Sequence, residues 1–364
     1  MLFGKRRPVR SRVVIALSLL TLVPGQLGGT ETYVRELTKA LAANGELEYV
    51  AVVPPVARGG ANGLPEEVAT EYRTARTLPQ RFASMGLAAV RPVPLRRRLD
   101  AADVVHYPLT IPLPQTRKPY LLTLQDVLHL DRPELFPKWE AALRKVAYDR
   151  PTRRAPLVLV PTRFTAERIE HHLGVPEERM RVIPHGIDHE RLTPGAGERE
   201  PFLLYPARPW PHKNHDRLLE AFALLRRERP ELRLVLSGGG HDRRAYPEGV
   251  EVRGLVPDDE LVSLYRRASA LVFPSLYEGF AFPPLEAMAC GCPVAAADAG
   301  SVAEVCGDGA RLFDPTDPEA IAAAVDEVLR DPAPWVERGL ARAGRFRWAE
   351  AARDHEAAYR ELLP

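Results

Sequence analysis

Residues 191–207 read RLTPGAGEREPFLLYPA. Arg191–Pro201 mix proline, glycine and charge without apolar periodicity, which is linker composition. Phe202–Ala207 is then an apolar run of strand length, and the amphipathic segment His215–Arg229 behind it predicts a helix. A strand-then-helix rhythm therefore restarts after the linker, and the same rhythm runs upstream. There, strands are predicted at Val13–Leu20, Tyr49–Val53, Val104–Tyr107, Tyr120–Leu124, Leu157–Val160 and Arg181–Ile183. A helix is predicted at Thr30–Ala43, with Val34, Leu37 and Leu41 on one face and Asn44-Gly45 as its stop. Downstream, strands are predicted at Leu232–Ser237, Val250–Gly254, Ala270–Phe273 and Pro293–Ala296, and helices at Pro257–Ala268, Pro284–Ala289 and Pro318–Arg330. The fold class is α/β: two Rossmann-like domains with mainly parallel sheets facing a central cleft. The expected division is residues 1–190, a linker at 191–201, residues 202–345, and a final helical segment at 346–364. Trp348–Leu362 in that segment is a charged amphipathic helix that can cross back onto the first domain. Leu78–Leu99 is rich in proline and arginine and reads as a loop or mobile helical region.

A chain of 364 residues has room for two hydrophobic cores. Its 45% apolar and 27% charged content exclude disorder and coiled coil. Proline, at 36 residues, stands at about twice its ~5% average. The formal charge of +2 conceals an asymmetry: residues 1–154 hold 24 Lys/Arg and 14 Asp/Glu, and the remainder 26 and 34. The basic excess, concentrated at Arg73, Arg76, Arg81, Arg91 and Arg96–Arg98, reads either as a face for an anionic surface or as solvated arginine. No nucleic-acid partner is implied. Lys5, Arg6, Arg7, Arg10 and Arg12 before the apolar run Val13–Val23 imitate a secretory signal, but no cleavage site follows, so a buried first strand is expected. The three cysteines, Cys290, Cys292 and Cys306, form no disulfide framework and read as reduced packing residues of a cytoplasmic protein.

Three segments can carry chemistry. The loop Leu27-Gly28-Gly29-Thr30 lies between a strand and a helix, where amides can meet a phosphate; a plain tight turn reads equally well. Gly238-Gly239-Gly240 is not a dinucleotide fingerprint, because Arg243 stands where the third glycine belongs. In Tyr205–His215, Arg208 and Lys213 follow a strand and precede a helix, where cations can neutralise a diphosphate; a solvated helix-start lysine is the bland alternative. His212 and His215 lack metal spacing. Most specific is Ser275–Met288, SLYEGFAFPPLEAM, which predicts Glu278 after a strand and Glu286 in the first turn of a helix opened by Pro284. Two carboxylates then flank a turn with free amides, although Glu286 could merely complement its helix dipole.

These segments resemble the retaining GT-B glycosyltransferases of family 4 (glycosyltransferase group 1), most strongly over residues 180–315, and among them bacterial mannosyltransferase-like members. The Glu-x7-Glu signature matches Glu278 and Glu286, the Arg…Lys pair Arg208 and Lys213, and the glycine loop Gly28-Gly29. Val182–Asp188 is similar to the element before the family's linker, and Gly300–Glu304 to its G-x-x-x-E turn. The resemblance implies that Arg208 and Lys213 hold the diphosphate of a nucleotide sugar, that Glu286 binds the ribose, and that Glu278 with the amides of Gly279, Phe280 and Ala281 holds the sugar. It places Val256 near the base, Leu285 among the donor-binding residues, Gly28 and Gly29 at the phosphates, His106 by the sugar, and Gln125 and Asp126 at a sugar or acceptor contact. No D-x-D triplet occurs, so no metal is implied and arginine and lysine supply the positive charge.

The sequence departs from the family's pattern at several places. Gln125 stands where His-Asp is common, Ala281 replaces a glycine, and Phe282 stands where Leu is common. The implied reaction moves a hexosyl group, with retention, from a nucleotide diphosphate sugar to an acceptor hydroxyl. GDP-mannose is the first donor and a UDP-hexose the second; the nucleotide sugar is a co-substrate and no cofactor is implied. The acceptor is a glycan, a lipid-linked saccharide or a small molecule. The implied setting is cytoplasmic, at the inner face of the cell membrane, with peripheral contact to anionic lipid through the basic first domain. The alternatives are a sugar-nucleotide-binding subunit without turnover and a GT-B epimerase.

Overall fold

The computed structural model describes residues 13–72, 84–86, 88 and 92–363. In the first domain the strands are β1 (Val14–Ser18), β2 (Glu48–Val53), β3 (Glu66–Val68), β4 (Val104–Tyr107), β5 (Tyr120–Thr123), β6 (Leu157–Val160) and β7 (Met180–Val182). They form one parallel sheet in the order β3-β2-β1-β4-β5-β6-β7. The second domain holds β8 (Glu200–Pro206), β9 (Arg233–Ser237), β10 (Val250–Gly254), β11 (Ala268–Phe273), β12 (Val294–Ala297) and β13 (Arg311–Phe313), parallel in the order β10-β9-β8-β11-β12-β13. Parallel strands need helical crossovers that cover both faces, and this is why β4, β6 and β12 are buried along their whole length.

Strand order reverses between β1 and β4 in one sheet and between β8 and β11 in the other. Ligands bind beyond the carboxyl ends of strands at such switch points. The glycine loop follows β1, Gln125 follows β5, Lys213 follows β8 and Glu278 follows β11, so one cleft collects them.

Each sheet has its own core, and the final helix Trp348–Glu361 adds Trp348, Ala351, Ala352, Ala358 and Tyr359 to the core of the first. That docking is polar as well as apolar. Glu356, 3% exposed, accepts the N–H of Glu46 at 2.7 Å, the N–H of Leu47 at 3.0 Å and the hydroxyl of Tyr49.

Some elements differ from the sequence reading. The short strands β3 and β13 and the helices Arg163–Leu173 and Ala333–Ala343 were not anticipated. Within Leu78–Leu99, residues 93–99 form a helix, on which Arg98 pairs with Glu67 and Glu71. Arg73, Arg76, Arg81, Arg91 and the leader cations Lys5–Arg12 lie outside the described residues. The apolar run after Arg12 forms β1, and all three cysteines are buried free thiols. No helix among the described residues is long and apolar enough to cross a membrane.

Candidate active site

The segment after β8 ends in a left-handed turn that the Asn214 side chain ties down. Asn214 adopts a left-handed backbone (φ 59°), and its side-chain amide donates to the carbonyls of Pro274 at 3.0 Å and Pro315 at 2.7 Å. Those bonds tie the turn to the segment after β11 and fix Lys213 beside it. Lys213 Nζ donates to Glu278 Oε1 at 2.5 Å, with both side chains largely buried. Arg208 lies nearer the mouth of the cleft, 3.4 Å from the carbonyl of Gly25 in the other domain and stacked over Trp210. Burial, then the charge of Lys213, lowers the pKa of His212 to about 4, so it stays neutral.

Gly300 and Ser301 support the Glu278 turn from below. Ser301 Oγ donates to the Glu278 carbonyl at 2.8 Å, and Gly300 (φ 56°) leaves a Cβ only 3.2 Å from Glu278 N. No protein acceptor among the described residues takes the N–H of Gly279, Phe280 or Ala281. The helix behind them starts at Phe282, so Glu286 is its fifth residue and not in its first turn, where it would complement the dipole. Instead Glu286 accepts the Tyr265 hydroxyl at 2.8 Å. Burial raises its pKa, against the lowering effects of that bond and of Arg191.

The first domain closes over this turn. A Cβ on Gly279 would lie 1.9 Å from the Gln125 carbonyl oxygen and 3.0 Å from the Asp126 Cβ, so only glycine allows this approach. Thr162 Oγ1 donates to the Gly279 carbonyl at 3.0 Å. Gly28 (φ 55°) precedes the helix Gly29–Asn44 with open space around it, and Gly29 faces the ring of Phe282. Val256 is half-buried on the edge of the second core. Asp126 caps its own turn through the N–H of Leu128 at 2.9 Å.

Two candidates fall elsewhere. Leu285 is packed into the core of the second domain, so its side chain cannot reach a donor. His106 is 0% exposed and belongs to a buried relay that can be assigned proton by proton. His355 Nδ1 donates to the Ala351 carbonyl at 2.7 Å, and burial lowers the His355 pKa to about 4, so its Nε2 is a bare acceptor. Tyr33 OH donates to that nitrogen at 3.0 Å and so accepts from Thr123 Oγ1 at 2.8 Å. Thr123 then accepts from His106 Nε2 at 2.8 Å, and His106 Nδ1 accepts from Tyr359 OH at 2.9 Å. Both ring nitrogens of His106 are spent inside the protein. The residue fastens the final helix to the sheet and does not face the cleft.

Several contacts across the cleft escaped the sequence reading. Glu304 accepts the N–H groups of Arg163 and Phe164 at 2.8 and 2.9 Å, capping a helix of the opposite domain. Tyr277 OH donates to Asp131 at 2.8 Å. Burial opposes it, yet bonds from Arg168, His172 and Tyr277 hold the Asp131 carboxyl below its ordinary pKa. His185 joins the domains by stacking on Phe282, packing on Phe280 and Trp348, and bonding Gln125. The i,i+4 pair Arg168 and His172 was the available signal for the Asp131 cluster.

Residues 27–191 match the family Glycosyltransferase Family 4, and residues 187–354 match Glycosyl transferases group 1. The chain is similar to the O-antigen chain mannosyltransferase B of Escherichia coli, at 31% identity over 72% of this chain and 76% of that protein. It is also similar to the GDP-mannose-dependent alpha-(1-6)-phosphatidylinositol monomannoside mannosyltransferase of Mycolicibacterium smegmatis, at 31% identity over 57% of this chain and 60% of that one. Among solved structures, a sucrose-phosphate synthase from Thermosynechococcus elongatus shares the fold at TM-score 0.77 and 20% identity, covering 96% of this chain and 99% of the other.

Proposed function

The chain belongs to the group 1, family 4 glycosyltransferases of the GT-B fold, and on that premise we propose that it transfers a mannosyl group from GDP-mannose, with retention, to an acceptor hydroxyl. A UDP-hexose is the second donor. The acceptor is a glycan, a lipid-linked saccharide or a small molecule.

The observation that carries this reading is the Lys213–Glu278 pair at the paired carboxyl ends of β8 and β11. A departing diphosphate needs fixed positive charge near its oxygens, and Lys213 with Arg208 can provide it without a metal ion. Glu278 and the amides of Gly279, Phe280 and Ala281 are then available for sugar hydroxyls and oxygens. In this reading Glu286 takes the ribose hydroxyls and Val256 lies beside the base. Neither carboxylate is arranged as a proton donor to a leaving group, since Glu278 pairs with a cation and Glu286 accepts from a tyrosine. Catalysis rests on alignment, domain closure and stabilisation of the leaving group. A non-catalytic sugar-nucleotide subunit and an epimerase are not favoured, because the named relatives are transferases.

Three buried free thiols suit a reducing, cytoplasmic compartment. For contact with an anionic membrane, the helical run 138–154 offers a more suitable face than Arg98, which is already paired. Lys138, Trp139, Ala142, Lys145, Val146, Arg150 and Arg153 are exposed there, while Glu140 pairs with Arg144 and Asp149 is buried against His129. The outward face thus combines cations and apolar groups without an acid, the pattern of an interfacial helix.

The test is thermal stabilisation by GDP-, UDP-, ADP- and dTDP-sugars, followed by nucleotide diphosphate release with and without acceptor. GDP-mannose at 100 times its Kd stabilises by about 2.7 kcal/mol. Release must depend on acceptor, and the product must keep the anomeric configuration. Binding without acceptor-dependent release overturns the transferase reading.

A further inference from the structure

The loop after β8 carries both Arg208 and Lys213, and a different device ties it down at each end. At the Lys213 end, Tyr205 OH donates to the Lys213 carbonyl at 2.8 Å, beside the two bonds of Asn214. At the Arg208 end the holding group is His241, 2% exposed, in the short turn His241–Arg243 after β9. Its Nε2 lies 2.8 Å from the Ala207 carbonyl oxygen and its Nδ1 2.6 Å from the Tyr246 hydroxyl. Turning the ring over would put carbon at both positions, so the two bonds fix its orientation. A carbonyl oxygen only accepts, so Nε2 carries the proton. The triple glycine Gly238-Gly239-Gly240, which makes no dinucleotide fingerprint, brings this histidine up to the loop. Gly238 has φ 117°, and a Cβ there would lie 3.0 Å from the Ala207 carbonyl carbon and 3.1 Å from the Arg208 nitrogen. Gly238 N–H donates in turn to the Gly254 carbonyl at 2.7 Å. On the other side, the Arg208 carbonyl accepts the Trp210 N–H at 2.8 Å, and Pro209 restricts the backbone of the residue before it. Both peptide planes flanking Arg208 are therefore held, and its Cα–Cβ bond leaves the loop in one direction.

We propose that His241 is a positioning residue for Arg208: through the Ala207 carbonyl it sets the root from which the guanidinium reaches the oxygens of the donor's diphosphate. This rests on the glycosyltransferase reading above. Arg208 depends on its backbone more than Lys213 does. Its guanidinium lies at the mouth of the cleft, 5.7 Å over the Trp210 ring and 3.4 Å from the Gly25 carbonyl, whereas Lys213 is gripped by Glu278. A long side chain with a lightly held head keeps its aim only where the backbone beneath it is rigid. Tyr246 backs the histidine: its ring lies 5.4 Å under the Arg244 guanidinium, and Arg244 pairs with Asp216 in the first turn of the helix His215–Glu228. The two cations thus have separate supports, His241 with Tyr246 for one and Asn214 with Tyr205 for the other.

The experiment is a pair of double-mutant cycles, His241→Phe with Arg208→Ala and His241→Phe with Lys213→Ala. They are read as the Kd of GDP and of UDP by titration calorimetry and as kcat/KM for the sugar donor. His241→Phe keeps a ring against His215, whose centroid is 5.3 Å away, and removes the donor to Ala207. Alone it weakens nucleotide diphosphate binding and lowers kcat/KM, each about tenfold. In the Arg208→Ala background it has no further effect, because the side chain it positions is gone; in the Lys213→Ala background the same loss persists. His241→Gln, which returns an N–H to the Ala207 carbonyl, recovers part of the loss. Where His241→Phe does not fold, Tyr246→Phe, at the partly exposed edge of the cluster, carries the same cycles with a smaller loss. Equal losses in both backgrounds mark a general loosening of the domain and overturn the proposal, as do wild-type binding and turnover in His241→Phe. Either result leaves the turnover of the wild type, and with it the transferase reading, standing. A wild type that neither binds nucleotide diphosphate nor turns over removes both.

Discussion

The carboxylate of Glu304 in the second domain lies 2.8 Å from the backbone N–H of Arg163 in the first. It takes a second N–H from Phe164, so a side chain of one domain caps the helix Arg163–Leu173 of the other, beside the Thr162 cap within that helix. The contact exists only when the cleft is closed. At an exposed helix N-terminus a negative charge contributes about 0.3–1 kcal/mol. Glu304→Gln therefore shifts the balance toward the open form by up to about fivefold, raising donor KM with little change in Tm. Small-angle scattering should report a larger radius at low salt, with the difference from wild type shrinking as salt screens the charge. Identical scattering and KM would show that Glu304 has no part in closure.

Gly279 gives a sharper test of the same movement. A methyl there would lie 1.9 Å from the Gln125 carbonyl oxygen, which belongs to backbone and cannot swing aside. Gly279→Ala should leave both domains folded, cut transfer by about 10²-fold, and leave the affinity for nucleotide diphosphate within about threefold, because Arg208 and Lys213, the cations proposed for the diphosphate, sit in the second domain. Wild-type turnover in this variant would mean that the closed form described here is not the working one.

Lys213 and Glu278 hold each other, and this separates their roles. Removing either should reduce transfer by about 10²-fold or more. Lys213→Ala weakens the nucleotide diphosphate. Glu278→Ala frees the lysine, so nucleotide diphosphate binds as well or better while the intact nucleotide sugar binds less well. Isothermal titration with the two ligands checks the crossover; equal losses for both in both variants would contradict it.

Acid should loosen the packing of the final helix. Burial lowers the pKa of His106, His185 and His355, the last to about 4, from the ordinary value near 6.5. Because the folded values are depressed, the unfolded chain binds protons first as pH falls below about 6.5. Stability is therefore complete above that pH and declines below it, by up to about 1.4 kcal/mol per pH unit for each histidine, until the folded forms protonate in turn. Urea midpoints at pH 7.0 and 5.0 test this, with His355→Gln flattening part of the slope. A midpoint independent of pH would refute the neutral assignment.

The sequence reveals the cleft more readily than the contacts that close it. Phe202–Ala207 and Ala270–Phe273 are read as strands because buried parallel strands are continuous apolar runs. β3 and β13 escape because each is only three residues long and carries charge, Glu66-Glu67 and Arg311, so the apolar signal is thin; the other two sheet edges, β7 and β10, are read as strands. The helix Arg163–Leu173 carries its own marks in the sequence, Thr162 as N-cap and Gly174 in a left-handed stop. His106 misled for a different reason. β4 is covered on both faces, so alternation along the strand does not show which side chains meet the cleft and which meet the final helix. Glu304 and Arg163 are 141 positions apart, and no local pattern in either segment announces the other.

The chain enters the second domain at Ile187 and leaves it at Phe346, and these two passages touch. Ile187 N–H donates to the Phe346 carbonyl at 3.1 Å, and a Cβ on Gly186 would fall 2.2 Å from the Trp348 nitrogen. The second domain is therefore an insertion whose ends meet, and its unfolding opens a closed loop without setting either end adrift, which limits the chain entropy gained. The two passages lie side by side, joined by a parallel bridge between Ile187 and Arg347. Exchange of the second domain between related enzymes therefore needs both cuts, near 187 and 346, made as a matched pair. A single splice at the linker would part the final helix from the half-site it was fitted to.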